Sequence, residues 1–343
     1  MISGYATLNE TSRHCHKFNL PYRRSSRFLV SPIAIGTHLG EMNEEDSRLY
    51  KEGIQYALKN GINFIDTAIN YRGMRSERDI GCVLNDLILS KKILNREAVI
   101  VSSKAGIIPG DVMENLVPKD YLQKKLLEPG IIQESDLNEF QHQRHVLNPS
   151  YYKFAIAKSK QHLNLDTIDI YYVHNPEISM MTLEPETFYN HLENLFLTLE
   201  SQVQLGNIRY YGIATWNGFL KSPDEKGFIS LEEVMNKAKA VAGDDHHFQF
   251  IQYPLNKKIS QSLTFKNQRI QNKMYSLLHA AEELGLLSTT SAPFQLGKVF
   301  GKDVNPKRLL IDIIRTKGIF STMVGMKQIK HIRENIESIS MLE

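Results

Sequence analysis

The chain has 343 residues, 41 Lys+Arg against 38 Asp+Glu, and a formal net charge of +3. That balance argues against nucleic acid or an anionic membrane surface as the main partner. Cys15 and Cys82 are the only cysteines and form no CxxC pair, which excludes a disulfide framework or a zinc ribbon.

No apolar run approaches the ~18 residues of a membrane span. The opening segment carries Glu10, Arg13, His14, His16 and Lys17, so it has no signal-peptide core. A soluble cytoplasmic protein is expected, and the Asn9-Glu10-Thr11 sequon is then accidental. Residues 1–27, with Arg23, Arg24 and Arg27, precede the first strand signal and read as a surface arm.

From residue 28 onward, β-rich apolar runs alternate with helical patterns. The first run is Pro32–Gly36, followed by a helix over Ser47–Asn60 that stops at Asn60-Gly61. Ile62–Asp66 precedes a helix over Ser76–Leu89, and Ala98–Ser102 comes next. Gly106–Ser150 then separates this third strand from its helix, where α/β units usually take about 2–6 residues. This excursion leaves from a strand's C-terminal end and reads as a lid or pocket wall, with a short helix at Asp120–Glu128. Asn148-Pro149 looks like an N-cap followed by proline at the first helical position. Ile168–Val173, Arg209–Ala214, Phe248–Gln252, Leu286–Thr290 and Ile319–Val324 are the remaining strands. Helices over Leu192–Leu205, Leu231–Ala242 and Met274–Leu284 lie between them.

Nearly continuous Val, Ile, Phe and Tyr suit strands buried on both faces of a parallel sheet. Eight such strands alternating with helices predict a single (β/α)8 barrel over residues 28–343, with the excursion 106–150 inserted. The competing open doubly wound sheet favours a GxGxxG after an early strand, and none is present.

Reactive groups of a barrel sit at the C-terminal strand ends. These are Gly36-Thr37, Asp66, Lys104, His174, Thr215, Gln252, Ser291 and Gly325, with Tyr71 on the loop after Asp66. A phenol ordinarily titrates near 10, and bringing it to about 7 takes ~4 kcal/mol. An ammonium ~4 Å away supplies about that much at an effective dielectric of ~20, although Asp66 cancels part of it. His174 adds a hydrogen bond to the reacting oxygen. Such a set suits protonation of a developing alkoxide or deprotonation of an alcohol. No side chain delivers hydride, so a nicotinamide cofactor is implied.

Gly61-Ile-Asn-Phe-Ile-Asp-Thr-Ala-Ile-Asn-Tyr71, then Ser76-Glu77 and Gly81, resembles the signature of the aldo-keto reductases. The resemblance continues through Ser102-Ser103-Lys104, Tyr172-Val173-His174, Gly212-Ile213-Ala214-Thr215 and Val324-Gly325-Met326, and ends at Glu334-Asn335. It implies a (β/α)8 barrel that reduces aldehydes or ketones with NADPH, NAD being the alternative. By position, it makes Tyr71 the general acid, Lys104 the cation that lowers its pKa, Asp66 the partner of Lys104, and His174 the group that orients the carbonyl. It puts Thr215 and Gln252 on the nicotinamide carboxamide, and Thr290 where many members stack an aromatic ring. The remaining cofactor candidates are Gly36, Thr37, Ser291, Gly325, Lys327, His331, Glu334 and Asn335. His331 falls where NADPH-specific members often place Arg, with Lys327, Lys330 and Arg333 as nearby cations for a 2′-phosphate. The strings His174-Asn175-Pro176-Glu177, Ala214-Thr215-Trp216-Asn217-Gly218 and His246-His247-Phe248 resemble a bacterial-type subgroup with no substrate attached to it.

Other clusters read as structural. His14-Cys15-His16 and Asp244-Asp245-His246-His247 lack a second cluster at metal-ligand spacing, the His142/His145 pair has helical i,i+3 spacing but lies in the variable-looking excursion, and no metal is expected. Trp216 is expected to pack the barrel mouth. The expectation is therefore an oxidoreductase for a small carbonyl substrate, monomeric or weakly oligomeric. The rivals are a non-catalytic nicotinamide-binding redox sensor on the same fold and a metal-dependent barrel hydrolase.

Overall fold

Eight parallel strands close on themselves in a computed structural model that describes residues 1–299 and 305–342. They are β1 (Ile33–Gly36), β2 (Phe64–Asp66), β3 (Ile100–Ala105), β4 (Ile168–His174), β5 (Ile208–Ala214), β6 (Phe248–Pro254), β7 (Leu287–Ser291) and β8 (Ile319–Gly325). Each pairs with its sequence neighbours, and Thr322–Gly325 of β8 pair with Ile33–Gly36 of β1 to shut the barrel. The eight strands expected from the sequence are all present, and residues 300–304 and 343 of the expected barrel span lie outside the described residues. β3 runs on to Ala105, so Lys104 stands on a strand rather than on the loop beyond it, and β6 runs past the expected end at Gln252 to Pro254.

The main helices around the barrel are α1 (Glu44–Lys59), α2 (Arg75–Leu84), α3 (Pro149–Leu163), α4 (Pro185–Gln204), α5 (Leu231–Ala242), α6 (Leu277–Glu283), α7 (Pro306–Ile314) and α8 (Ile329–Ser340). Local chemistry sets their starts. The Asn43 side chain accepts from the Asp46 amide to open α1, Asn148 accepts from Ser150 at α3, and Ser230 accepts from Glu233 at α5. α4 begins at Pro185, ahead of the expected Leu192. α6 begins later than expected, because Lys273–Ser276 pairs instead with Lys266–Ile270 in a hairpin. The expected helix over Ser76–Leu89 changes to π-helical turns over Asn85–Ser90. Gly81 lets α2 approach α3: a Cβ there would stand 2.1 Å from the His162 carbonyl oxygen.

Two apolar layers hold the barrel. Leu84, Ile156, Leu195, Phe196, Val234 and Ile332 belong to the larger core in which the helices pack on the strands. Phe64, Ile100, Ile170, Phe250 and Phe320 fill the interior together with Ala6, Phe28 and Val30.

Ala6 in that interior, with the buried Ile2 and Cys15, corrects the reading of residues 1–27 as a surface arm. The helix Leu8–Cys15 and the short hairpin Arg23–Arg24/Leu29–Val30 pack against the barrel. The Ala6 amide donates to Asp169 Oδ1 at 2.6 Å, and Asp169 Oδ2 accepts from Arg96 at 2.8 Å and from the Val101 amide at 2.8 Å. Gly61 accommodates the same segment. Its φ is +93°, and a Cβ would lie 2.6 Å from the Tyr22 hydroxyl and 2.8 Å from the Phe18 ring. Such contacts join residues far apart in the chain, and a local pattern carries no sign of them.

The excursion folds into ordered pieces. A helical turn at Pro118–Tyr121 continues as π-helical turns over Leu122–Leu127, covering most of the expected short helix. A hairpin follows, with Leu137–Phe140 paired to Gln143–Val146.

Candidate active site

Asp66, the last residue of β2, is almost fully enclosed. Its Oδ1 accepts the Ser102 hydroxyl at 2.7 Å and the Gln252 side-chain amide at 3.1 Å. Its Oδ2 accepts the Lys104 ammonium at 2.6 Å. Lys104 is fully buried on β3 and also donates to the Thr67 carbonyl oxygen at 2.8 Å. Its remaining direction faces the Tyr71 hydroxyl at 3.4 Å.

Tyr71 leaves β2 on a tight turn. Its amide donates to the Ala68 carbonyl oxygen, and Arg72, Gly73 and Met74 then take positive φ. Arg72 anchors the turn through Asp79 at 2.8 Å, Ser47 at 3.1 Å and the Glu41 carbonyl oxygen at 3.0 Å. The Tyr71 ring lies between two histidines, with centroids 4.7 Å from His38 and 5.6 Å from His174. Asp66, Tyr71, Lys104 and His174 therefore share one site.

The electrostatics correct one expectation. Burial pushes the Tyr71 phenol up, the Lys104 cation pulls it down and Asp66 pushes it up again; the net direction is above the ordinary value. Tyr71 is thus an acid that stays protonated, not a phenol tuned to neutrality. Burial pulls Lys104 down, but Asp66 and Tyr71 outweigh it, so the amine remains a cation. Burial, then Lys104, hold His174 well below the ordinary histidine value. The ring is neutral, and its buried Nδ1 has no hydrogen-bond partner among the described residues. A neutral imidazole has one N–H to offer a carbonyl oxygen.

A cavity of about 770 Å³ opens over these groups. Among the residues lining it are Gly36, Thr37, Asp66, Tyr71, His174, Thr215, Gln252, Ser291, Gly325, His331, Glu334 and Asn335. The excursion supplies Ile107, Phe140, Gln141 and Gln143 to its wall. Residues from 32 to 220 match the model of the Aldo/keto reductase family.

The chain belongs to the aldo/keto reductase family. Membership places it among the NAD(P)H-dependent oxidoreductases. No curated protein gives a significant match to its sequence. Its fold is similar to that of a solved aldo-keto reductase from Pseudomonas aeruginosa, at 17% identity and a TM-score of 0.57, covering 98% of this chain and 97% of that one. A Klebsiella pneumoniae aldo/keto reductase solved with NADP and acetate matches at 16% identity and a TM-score of 0.58, covering 92% and 88% of the two chains. The holo form of an aldo-keto reductase from Bacillus halodurans matches at 16% identity and a TM-score of 0.59, covering 93% and 91%.

The positions that the sequence suggested for a cofactor divide into two groups. Thr215 is buried on the cavity wall, and its hydroxyl has no hydrogen-bond partner among the described residues. Gln252 spends its amide N–H on Asp66, which leaves its carbonyl oxygen for a ligand. An unpartnered hydroxyl and a carbonyl acceptor suit a carboxamide. Lys327 departs from expectation: its amine lies 2.6 Å from both Asp46 oxygens, and the residue is not among those lining the cavity. Arg333 sits against Tyr56, 3.3 Å from its hydroxyl. Thr290 is buried against Thr322 at 2.9 Å, so no aromatic ring stands there. Trp216, expected to pack the mouth, is 41% exposed and lines the cavity.

Three contributors escaped sequence reasoning. His38 follows the strand end Gly36-Thr37 by one residue and was within reach of the same rule. Phe140 and Gln143 flank a hairpin turn whose central residues, Gln141 and His142, both have positive φ; neither is the Gly or Asn-Gly that marks such turns. No described helix is long and apolar enough to cross a membrane. Among the described residues, no three His, Cys, Asp or Glu side chains are grouped to hold a metal ion.

Proposed function

We propose that this chain is an NADP(H)-dependent reductase that interconverts a small aldehyde or ketone with its alcohol. The observation that carries the reading is the Lys104 ammonium, held by Asp66 at 2.6 Å and facing the Tyr71 hydroxyl at 3.4 Å, beneath a cavity that His174 also lines. NADPH, when bound, supplies the hydride that no side chain can deliver.

The chain's own residues do the rest. Thr215 and Gln252 hold the carboxamide end, and Gly36, Thr37, Ser291, Gly325, His331, Glu334 and Asn335 line the path for the remainder. The neutral His174 ring donates to the substrate oxygen and orients it. Tyr71 gives its hydroxyl proton to that oxygen as negative charge develops there. Lys104 steadies the phenolate left behind, and Asp66 keeps Lys104 in place. Running the steps backwards oxidises an alcohol, with the phenolate as base. The NADP and acetate bound by the Klebsiella relative support this choice of cofactor, and the 2′-phosphate would meet His331.

The test is Tyr71→Phe, assayed with NADPH against a panel of aldehydes and ketones. Loss of the positioned acid should lower kcat by about 10²–10⁴ while the NADPH Kd stays unchanged. Undiminished turnover in the variant would overturn the mechanism. Tight NADPH binding by the wild type with no turnover of any carbonyl would instead favour a redox sensor.

A further inference from the structure

Two stretches of the sequence strings have no role in the mechanism above: Asn175-Pro176-Glu177, which follows His174, and Trp216-Asn217-Gly218, which follows Thr215. The structure joins them. Glu177 opens the short helix Glu177–Met180 just beyond β4, and it is 94% buried, with 6% of its surface exposed. Its Oε1 accepts the Trp216 amide at 2.6 Å and the Asn217 amide at 3.2 Å. Its Oε2 has no hydrogen-bond partner among the described residues, and the residue lines the cavity. The Asn175 amide donates to the Ala214 carbonyl oxygen at 2.7 Å, and Asn175 holds a left-handed φ of +51° to do so. Gly218 completes the seat. A Cβ there would lie 3.0 Å from Glu177 Cβ and 2.9 Å from Ile229 Cδ1.

A carboxyl oxygen that takes two backbone N–H groups fixes the backbone but not the side chains that project from it. The fixed stretch carries Thr215, whose buried hydroxyl is free for a ligand, and Trp216, whose ring is open to the cavity. Burial pushes Glu177 up, against the pull of those amides and of Lys221. In either protonation state one oxygen still accepts, so the anchor depends on an oxygen at that place and not on a net charge.

We propose that Glu177 is a positioning residue that holds the Thr215–Trp216–Asn217 backbone in register at the cofactor wall. That the wall receives a nicotinamide rests on the function proposed above; the anchoring itself does not. Without Glu177, two N–H groups lose their acceptor, and no other side chain among the described residues hydrogen-bonds Thr215, Trp216 or Asn217.

The chain has one tryptophan, so its fluorescence reports on this loop directly. Glu177→Ala should make Trp216 emission red-shifted and more readily quenched by acrylamide. It should also raise the NADPH Kd by about tenfold, the scale of one hydrogen bond. Glu177→Gln keeps an acceptor oxygen and should restore both readouts. Gly218→Ala, which crowds Glu177 from the other side, should reproduce the alanine phenotype and serves if Glu177→Ala does not fold, as judged by circular dichroism. Unchanged emission and quenching in the folded alanine variants, or a glutamine variant as impaired as alanine, would overturn the proposal. If wild type bound no NADPH, the reductase reading would fall, while the quenching comparison would still judge Glu177.

Discussion

The His145 ring closes on the backbone of His174: its Nε2–H donates to the His174 carbonyl oxygen at 2.8 Å. A carbonyl only accepts, so Nε2 carries the proton, and Nδ1 then accepts the Ser179 hydroxyl at 2.7 Å. His145 lies in the second strand of the excursion hairpin whose tip lines the cavity, so the pocket wall is bolted to the strand end that carries His174. Burial holds His145 down, from 6.5 to about 4. The unfolded chain therefore binds a proton that the folded chain refuses as pH falls from 6.5 to about 4. Stability should drop through that window by up to ~3 kcal/mol. His145→Gln keeps a donor at the Nε2 position and removes the titration. Urea unfolding at about pH 7 and again near pH 4.5 should show a smaller acid loss in the variant than in wild type. Equal losses would refute the assignment.

Asp66 and Lys104 make a buried ion pair, and such pairs cost more to break than to replace. Asp66→Asn leaves the ammonium enclosed without its counter-charge, and should destabilise the fold by about 3–5 kcal/mol while lowering kcat. Lys104→Met added to Asp66→Asn removes the orphaned cation and should recover most of that stability. It should not recover turnover, because nothing then steadies the Tyr71 phenolate. Denaturant midpoints and kcat measured on the same preparations separate the two effects. Recovery of activity in the double variant would show that the pair serves the fold alone.

The upward direction of Tyr71 has a kinetic consequence. In the proposed mechanism reduction uses the protonated hydroxyl, which persists to high pH because the phenol lies above its ordinary value of 10. Carbonyl reduction should therefore be level across neutral pH and fall only in alkaline solution. Alcohol oxidation needs the phenolate and should climb with pH by about tenfold per unit until Tyr71 titrates. Lys104 pulls the phenol down, so residual oxidation in Lys104→Met should climb over a more alkaline range. An oxidation rate that levels off near neutrality in wild type would mean that another group is the base.

Asp66, Lys104 and His174 were legible in the sequence because they close short apolar runs, and strand ends can be located without coordinates. The barrel was legible for the same reason. What stayed hidden depends on partners distant in the chain. Nothing near Gln252 shows that its amide N–H goes to Asp66, 186 positions away. The anchoring of the N-terminal segment depends on Asp169, which lies 163 positions from Ala6. The hairpin Leu137–Phe140/Gln143–Val146 alternates too weakly, and turns on residues too unlike Gly, to announce itself. The net direction of Tyr71 could not be weighed either, since burial enters only once the fold has formed around it.

Lys327 and His331 make opposite predictions for cofactor choice. The Lys327 amine is held by both Asp46 oxygens at 2.6 Å, whereas His331 lines the cavity beside Glu334 and Asn335. Discrimination of NADPH from NADH should then follow His331. His331→Ala should weaken NADPH by about tenfold, the scale of one hydrogen bond to a charged group, and leave NADH unchanged. His331→Arg should sharpen the preference, because a guanidinium meets phosphate with paired donors. Lys327→Ala should leave the NADPH-to-NADH ratio of Kd values where it is in wild type. If Lys327→Ala instead abolishes the preference while His331→Ala spares it, the lysine must leave Asp46 when the dinucleotide binds, and the phosphate seat lies at the segment just before α8.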